Sequence, residues 1–183
     1  MVKTDFKNVS VLPSHISLAG AELELVELEN RTMALRAALL REKENYDFIL
    51  IDCPPSLGLL TVNALAASDA ILIPLQCEYY ALEGVSQLIS TVRTVKRMYN
   101  DQLDIEGVLL TMYDSRLNLT VQVVDEVKKY FAGKIFRTVI PRAVRISEAP
   151  SFGQPIMYYD RSSKGAEAYV SLAKELVKNN PKK

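Results

Sequence analysis

The chain has 183 residues, of which 49% are hydrophobic, so it has enough apolar material for the core of one domain and little for a second. Its 22 basic residues balance its 22 acidic ones, which argues against a broad electrostatic grip on nucleic acid but leaves a local basic patch open. The single histidine, His15, argues against a His/Cys metal cluster.

No apolar run approaches the roughly 20 residues that a membrane-spanning helix needs, and residues 1–6 lack the apolar centre of a signal peptide. Cys53 and Cys77 lie in or beside apolar runs without a paired spacing, which is typical of reduced structural cysteines. These features predict a cytoplasmic protein.

The first part of the chain predicts small elements. Residues 8–12 alternate weakly and end before Pro13, which predicts a short strand. Ser17 is a candidate cap for a helix over residues 18–29, and a second helix is predicted over residues 31–44. Both helices are expected to be structural.

Residues 48–51 form a short unbroken apolar run, followed by Asp52 and by a double proline, Pro54 and Pro55. The run is too short for a helix and the prolines forbid one, so it predicts a strand that is buried on both faces. A carboxylate at the end of such a strand is the usual form of a magnesium-organising Walker B segment. The pattern alone is equally compatible with a strand that ends at a solvated aspartate.

The rest of the chain alternates between helices and strands. Helices are predicted over residues 57–67, 78–99, 118–131 and 163–178, and strands over residues 70–75, 106–112 and 134–140. Arg93, Lys96 and Arg97 suit the carboxyl end of the longest helix. The alternation predicts an α/β fold with a doubly wound, mostly parallel sheet flanked by helices, in a single domain over residues 1–183.

Five segments carry a resemblance that goes beyond these patterns. They read DCPPSLG at 52–58, QCEYYALEG at 76–84, EGVLLTM at 106–112, IPRAVRISEAPS at 140–151 and SKGAE at 163–167. In this order they resemble the ParA/Soj family of chromosome- and plasmid-partitioning ATPases, and the likeness extends over roughly residues 8–178. The resemblance implies a P-loop NTPase-like fold in which Asp52 belongs to Walker B.

The chain departs from this family in one respect. ParA-like ATPases carry a Walker A loop, a glycine-rich turn whose backbone amides and lysines hold phosphates. Here the only Gly-Lys pair is Gly133-Lys134, and no Gly-Lys-Ser or Gly-Lys-Thr occurs. The resemblance therefore implies the carboxyl-terminal part of a ParA-like protein, without the Walker A loop and its strand, and we expect this part alone to be inactive as an ATPase.

The resemblance also implies the residues that would meet ATP and Mg²⁺. Asp52 would hold the magnesium ion and act as the catalytic carboxylate beside the phosphates. The candidate base contacts lie at two strand ends and are Thr111, Met112, Pro141, Arg142 and Ala143. Ordinary strand-end turns are the alternative for these loops, and the asparagine that many relatives carry in the first loop is absent here.

Arg116, Arg142 and Arg145 are the candidates for DNA contact, because they cluster in two loops at predicted strand ends. The resemblance implies non-specific DNA binding by an ATP-bound homodimer, a ParB-like partner protein and association with the nucleoid, without a membrane. Solvated surface arginines or ion-pair partners are the alternative reading of the same residues.

Two other functions stay open. A MinD-like ATPase would end in a basic amphipathic membrane helix, whereas residues 163–178 have a stripe of small and apolar residues that favours packing in a core. A non-catalytic DNA- or partner-binding regulatory module would need no phosphate loop. Nucleotide titration distinguishes an enzyme from such a module.

Overall fold

The computed structural model describes residues 1–54, 56–78 and 81–181. Pro55, and the part of the predicted helix 78–99 at residues 79–80, therefore lie outside the described residues. The chain divides into two compact units, Met1–Ala67 and Ser68–Lys183. Nothing tests the predicted single domain, which stays a prediction. Within the described residues, every helix is either too short or too polar to span a bilayer.

The first unit consists of short elements. Strands β1 (Val2–Lys3) and β2 (Ser10–Val11) pair in antiparallel fashion. The helices are α1 (Ala21–Val26), α2 (Ala34–Leu39) and α3 (Leu59–Ala67), with 3₁₀ turns at Ile16–Gly20 and Lys43–Asn45. The predicted helix 57–67 is confirmed as α3, but the predicted strand 8–12 is limited to β2.

The two other helices predicted in this unit are shorter than expected. The predicted helix 18–29 starts as the 3₁₀ turn Ile16–Gly20 and continues as α1, and the predicted helix 31–44 is reduced to α2. The prediction that Ser17 caps the first of them is wrong. The cap is His15, whose Nδ1 accepts a hydrogen bond from the Ser17 backbone N–H at 3.2 Å.

Polar side chains hold the helices of the first unit together. Asn63, buried on α3, donates through Nδ2 to the Arg31 carbonyl at 2.7 Å, and its Oδ1 accepts from the Leu35 backbone N–H at 3.2 Å. Glu22 accepts a hydrogen bond from the Leu60 backbone N–H at 3.0 Å, so a carboxylate of α1 satisfies a free donor at the start of α3.

The predicted strand at residues 48–51 is wrong. These residues have no assigned secondary structure, and Phe48, Ile49 and Leu50 are all exposed, Leu50 by 83%. The apolar composition of these residues favours burial, but a strand also needs a neighbouring strand to receive its backbone hydrogen bonds. No strand partner for residues 48–51 is found within the described part of the chain.

The second unit contains a parallel pair of strands, β3 (Ala70–Gln76) and β4 (Asp104–Thr111), which confirms the predicted strands 70–75 and 106–112. Its long helices are α4 (Ala81–Met98) and α5 (Asn118–Tyr130). They confirm the predicted helices 78–99 and 118–131 to within a few residues. The sequence also predicts that the apolar residues of the second of these helices, Tyr130 among them, face inward. For Tyr130 this prediction is wrong, because it is 75% exposed.

The predicted strand 134–140 follows β4 without forming a continuous strand. Isolated parallel bridges join Val108 to Ile135 and Tyr113 to Pro141. Between them, the backbone N–H groups of Arg137 and Thr138 donate to the Glu175 carboxylate at 2.7 and 3.0 Å. The side chain thus takes the Thr138 donor that a regular ladder with β4 would use, and the pairing is interrupted there.

Alternate residues of β4 face two different layers. Val108 and Leu110 pack with Val85 of α4 and Val127 of α5, whereas Leu109 packs on the opposite side with Leu172 of the terminal helix. Helices therefore cover both faces of the pair, as in a doubly wound sheet. The α/β class predicted from the sequence is confirmed.

The end of the chain forms α6 (Val144–Glu148), a 3₁₀ turn (Ala149–Phe152), α7 (Ile156–Tyr159) and α8 (Lys164–Asn179). The predicted helix 163–178 is confirmed as α8, and Ser163 caps it by accepting a hydrogen bond from the Ala166 backbone N–H at 3.2 Å. The sequence predicts an inward stripe on this helix that consists of Ala166, Tyr169, Val170, Ala173, Leu176 and Val177. The observed stripe differs and consists of the buried Ala166 and the partly buried Ala168, Leu172 and Leu176. Gly165 is required where α8 meets α6, because a Cβ there would lie 2.6 Å from Ile146 Cγ1.

Candidate functional site

The segment after β4 lies beside residues 141–143. Tyr113 forms a parallel bridge with Pro141, its backbone N–H donates to the Ile140 carbonyl at 3.0 Å, and the Arg142 N–H donates to the Tyr113 carbonyl at 3.3 Å. These bonds bring together the two strand ends that hold the candidate base contacts, which are Thr111, Met112, Pro141, Arg142 and Ala143. Such strand ends are where open α/β sheets bind ligands.

Met112 has an unusual backbone at this junction. Its φ of 52° lies in the left-handed region, which a residue with a Cβ rarely adopts. The hydrogen bond from the Tyr113 N–H to Ile140 fixes the chain immediately after it. Strain of this kind concentrates at binding sites, where the surrounding structure maintains it. The Met112 side chain is 38% exposed and so is accessible to a ligand.

Arg116 is held by a carboxylate of its own loop. Its Nε donates to Asp114 Oδ1 at 2.8 Å, its Nη2 donates to Asp114 Oδ2 at 2.6 Å, and its backbone N–H donates to the same Oδ1 at 3.1 Å. These bonds, with a smaller contribution from the charge of Arg142, lower the pKa of Asp114 to about 2. Asp114 is therefore ionised at neutral pH, and the pair has no net charge.

Arg145, on α6, is also paired. Its Nη1 donates to Glu148 Oε2 at 2.9 Å, and its Nε lies 3.5 Å from Asp160 Oδ2. The Tyr159 hydroxyl donates to the same Glu148 oxygen at 3.2 Å. The hydrogen bond to Glu148, followed by that to Tyr159, raises the pKa of Arg145. No ion pair of the third candidate, the exposed Arg142, is found among the described side chains.

Asp52 belongs to the first unit, in the irregular segment that follows residues 48–51. Its side chain is exposed, as is Cys53 beside it. Partial desolvation, and then the charge of Asp52, raise the pKa of the Cys53 thiol, so the thiol stays protonated at neutral pH. Asp52 is therefore an exposed carboxylate in an irregular segment, without the preceding strand that the sequence predicted.

Sequence reasoning missed the carboxylates that engage the candidate arginines. Asp114 stands two residues before Arg116, and Glu148 stands three residues after Arg145. The second spacing is the usual one for a pair on a helix and was readable from the sequence. Asp160 lies farther along the chain, so only the fold reveals its position.

A separate groove of about 410 Å³ opens between β3 and the start of α4. Its lining is mostly apolar and includes Ile73, Leu75, Val85 and Leu88. None of the candidate site residues lines it.

Comparison with known proteins identifies relatives along nearly the whole chain. A family model described as an AAA domain matches residues 1–105. The chain is 61% identical over 176 residues to the sporulation initiation inhibitor protein Soj of Bacillus subtilis, covering 96% of this chain and 70% of that protein. It is 55% identical over 180 residues to the chromosome partitioning protein ParA of Myxococcus xanthus, covering 98% of this chain and 64% of that protein.

Solved structures that resemble this chain include nucleotide-bound proteins and a cell division ATPase. Cobyrinic acid a,c-diamide synthase from Mycobacterium smegmatis, determined with ADP and magnesium and also with an ATP analogue and magnesium, matches with a TM-score of 0.76 and 36% identity over 91% of this chain and 61% of that one. The cell division ATPase MinD of Pyrococcus furiosus matches with a TM-score of 0.66 and 28% identity over 80% of this chain and 58% of that one. These likenesses confirm the predicted P-loop NTPase-like fold.

The chain spans about two thirds of the length of the curated relatives that it matches. Within that span more than half of the aligned residues are identical in each of these two relatives. The chain therefore belongs to the ParA/Soj family of P-loop ATPases.

Proposed function

We propose that this chain supplies the magnesium carboxylate, the base-side loops and the DNA-contacting arginines of an ATP-dependent chromosome or plasmid partitioning ATPase. The observation that carries the proposal is the junction of two strand ends at Tyr113 and Pro141, in a chain 61% identical to Soj of Bacillus subtilis. A fold alone does not define a function, so the proposal rests on what these loops and side chains offer a ligand.

The donor chemistry around Asp52 fits a magnesium ion that binds together with a nucleotide. Asp52 is a single exposed carboxylate, and within the described residues no three His, Cys, Asp or Glu side chains are grouped to enclose a metal. Magnesium commonly takes one or two carboxylates and completes its shell with water and phosphate oxygens. When bound, it neutralises phosphate charge during ATP hydrolysis. The protonated Cys53 thiol would not compete as a ligand.

The joined strand ends offer two kinds of contact to a nucleotide base. Met112 and Pro141 present apolar surface to a flat ring, and Thr111 adds a hydroxyl. The hydrogen bonds of Tyr113 to residues 140 and 142 hold both loops in place, so little ordering is required on binding. We assign the base contacts to Thr111, Met112, Pro141, Arg142 and Ala143.

For DNA, the proposal assigns phosphate contacts to Arg116, Arg142 and Arg145. All three are exposed, and Arg142 lies in the junction itself. A chain of zero net charge has to concentrate its cations locally to bind a polyanion, and an ATP-bound homodimer would double their number. A ParB-like partner and association with the nucleoid complete the proposed function.

The terminal helix favours this function over membrane cycling. Ala168, Leu172 and Leu176 of α8 pack against Leu109 and residues of the 134–140 segment. Because this stripe packs inside the protein, it is not available for the apolar face that a membrane-surface helix needs. The remaining alternative is a non-catalytic DNA- or partner-binding module.

A chimera tests the catalytic part of the proposal. In it, the 183 residues of this chain replace the matching segment of the Bacillus subtilis relative, and steady-state ATPase rates are measured. Asp52→Asn should lose most turnover with unchanged folding, because it removes one charge at a metal site without opening a cavity. Asp101→Asn, an equal charge change at another exposed position, is the control. Rates within a few-fold of the parent for Asp52→Asn would contradict the assignment.

The same chimera tests the DNA contacts. The triple replacement of Arg116, Arg142 and Arg145 by glutamate should abolish binding to a random-sequence duplex, and each single alanine variant should lower the salt slope by about one. Glutamate at Arg36, Arg41 and Arg97, three exposed arginines outside the two loops, changes the net charge equally. Loss of binding in both triple variants would show a general charge effect and would contradict the assignment.

A further inference from the structure

The guanidinium of Arg116 already uses two of its N–H donors on a carboxylate, so these donors are not free for a phosphate. Arginine binds phosphate best through two parallel N–H donors of its planar fork. In Arg116, Nε and Nη2 both donate to the Asp114 carboxylate, which is the geometry that a phosphate would adopt. The side chain of Arg116 is 85% exposed, so no packing of its own fixes this orientation.

We infer that Asp114 acts as a competitor for phosphate at Arg116 and thereby limits the affinity of this surface for DNA and for other polyphosphates. The inference rests on the proposed DNA contact of Arg116. For a phosphate to bind with two donors, it has to displace Asp114, and it does so against the repulsion of a carboxylate that remains beside it. Asp114 thus affects phosphate binding indirectly, by occupying the donors of Arg116.

Two observations favour competition over a role in aiming Arg116 at a ligand. First, Asp114 also accepts from the Arg116 backbone N–H, so its carboxylate is anchored in the loop and would stay there after displacement. Second, Arg145 shows a similar arrangement, with Glu148 on Nη1 and Asp160 near Nε. Two of the three candidate arginines are neutralised by nearby carboxylates, and the strongly attractive cation left in the junction is Arg142.

The test uses the full 183-residue chain and two probes, a random-sequence DNA duplex and inorganic polyphosphate, each titrated at several salt concentrations. Asp114→Asn keeps the size of the side chain and removes the charge. We expect it to bind both probes about 3–10-fold more tightly, with a salt slope steeper by about one because one more cation becomes available. Asp125→Asn removes the charge of another carboxylate, more exposed than that of Asp114, which pairs with Lys128 on α5, and we expect its affinities to stay within about twofold of the parent.

A double-mutant cycle isolates the pair. In an Arg116→Ala background, Asp114→Asn should give a clearly smaller gain with both probes than it gives in the parent, because only the repulsion by the carboxylate is left to remove. A gain as large as in the parent background, or an equal gain in Asp125→Asn, would reduce the effect to net charge and overturn the inference. Weaker binding by Asp114→Asn would also overturn it, because it would mean that Asp114 positions Arg116.

The two probes distinguish this inference from the proposed function. Tighter polyphosphate binding by Asp114→Asn, when no variant binds the duplex, would support the competition and contradict DNA binding. If neither probe binds Asp114→Asn more tightly than the parent, the competition is refuted, whatever the parent's affinity for DNA.

Discussion

Two apolar runs of similar composition adopt different states in this protein. The run at residues 48–51 is irregular and exposed, whereas Ala70–Gln76 forms β3, pairs with β4 and has Ile73 and Leu75 in the core. Both precede a polar residue and a helix, so local sequence does not explain the difference. A neighbouring strand does, because backbone donors and acceptors that have no partner favour exposure to water.

Matched leucines in the two runs give the largest expected effect. Leu75 is 4% exposed and Leu50 is 83% exposed. We expect Leu75→Ala to lower the free energy of unfolding by about 2–5 kcal/mol, because it leaves a cavity in a packed core. Leu50→Ala should change it by about 0.5 kcal/mol or less. Urea unfolding of both variants checks this, and a comparable loss for Leu50→Ala would mean that residues 48–51 are buried in solution.

The comparison also separates what the sequence predicts well from what it does not. Elements with a strong helical or strand period, such as α4, α5, α8, β3 and β4, lie within a few residues of their predicted bounds. The period reflects burial on one face or both, and these elements have the neighbours that bury them. Residues 48–51 are as apolar as those strands but have no neighbouring strand in the described part of the chain. Residues 134–140 do not form a continuous strand, because the carboxylate of Glu175, 35 or more positions away, takes backbone donors of this segment.

The proximity of the two candidate loops was predictable from the sequence, whereas most of the ion pairs of their arginines were not. The bridge between Tyr113 and Pro141 agrees with the expectation that parallel strands end at one edge. The sequence left open whether Arg116 and Arg145 contact phosphate or pair with carboxylates. Which carboxylates engage them depends on side-chain rotamers and, for Asp160, on the path of α7. The pair with Asp160 is distant in sequence and has no periodic signal.

The first unit, which contains the exposed run, depends on a buried polar residue, Asn63. It is buried on α3 and makes hydrogen bonds to the backbone at Arg31, Leu35 and Leu59. We expect Asn63→Leu to cost about 1–3 kcal/mol, since it leaves backbone groups without partners in a region that has few other buried side chains. Circular dichroism and urea unfolding measure the loss. A neutral result would show that the first unit does not depend on this polar link.

The exposed run at residues 48–51 should also affect association. An exposed apolar segment that lies outside any strand ladder in the described residues invites pairing with another chain. We expect the 183-residue chain to self-associate, and Leu50→Lys to raise the apparent dissociation constant about 10-fold, measured by light scattering across a concentration series. Leu23→Lys, on the exposed face of α1, is the control. An equal rise in both variants would contradict a role for residues 48–51, and a stable monomer at all concentrations would contradict association altogether.

The smallest expected effect concerns Glu175, whose carboxylate interrupts the segment 134–140 beside β4. Burial on its own raises the pKa of Glu175, but hydrogen bonds from the Arg137 N–H and from the N–H and hydroxyl of Thr138 outweigh it, and the pKa is lowered. A carboxyl whose pKa is lower in the folded than in the unfolded state stabilises the fold above its unfolded pKa. That contribution disappears as the pH falls through the folded pKa.

Glu175→Gln should therefore cost about 1 kcal/mol at pH 7 and progressively less as the pH falls below the ordinary pKa of a glutamate, because the parent then loses the contribution of its ionised carboxylate. The stability difference between parent and variant, measured by urea unfolding from pH 7 to pH 3, should shrink on the acid side. Glu167→Gln, at an exposed position of the same helix, should show no such trend. A constant difference across the range would mean that Glu175 contributes through packing alone, and that another cause interrupts the ladder beside β4.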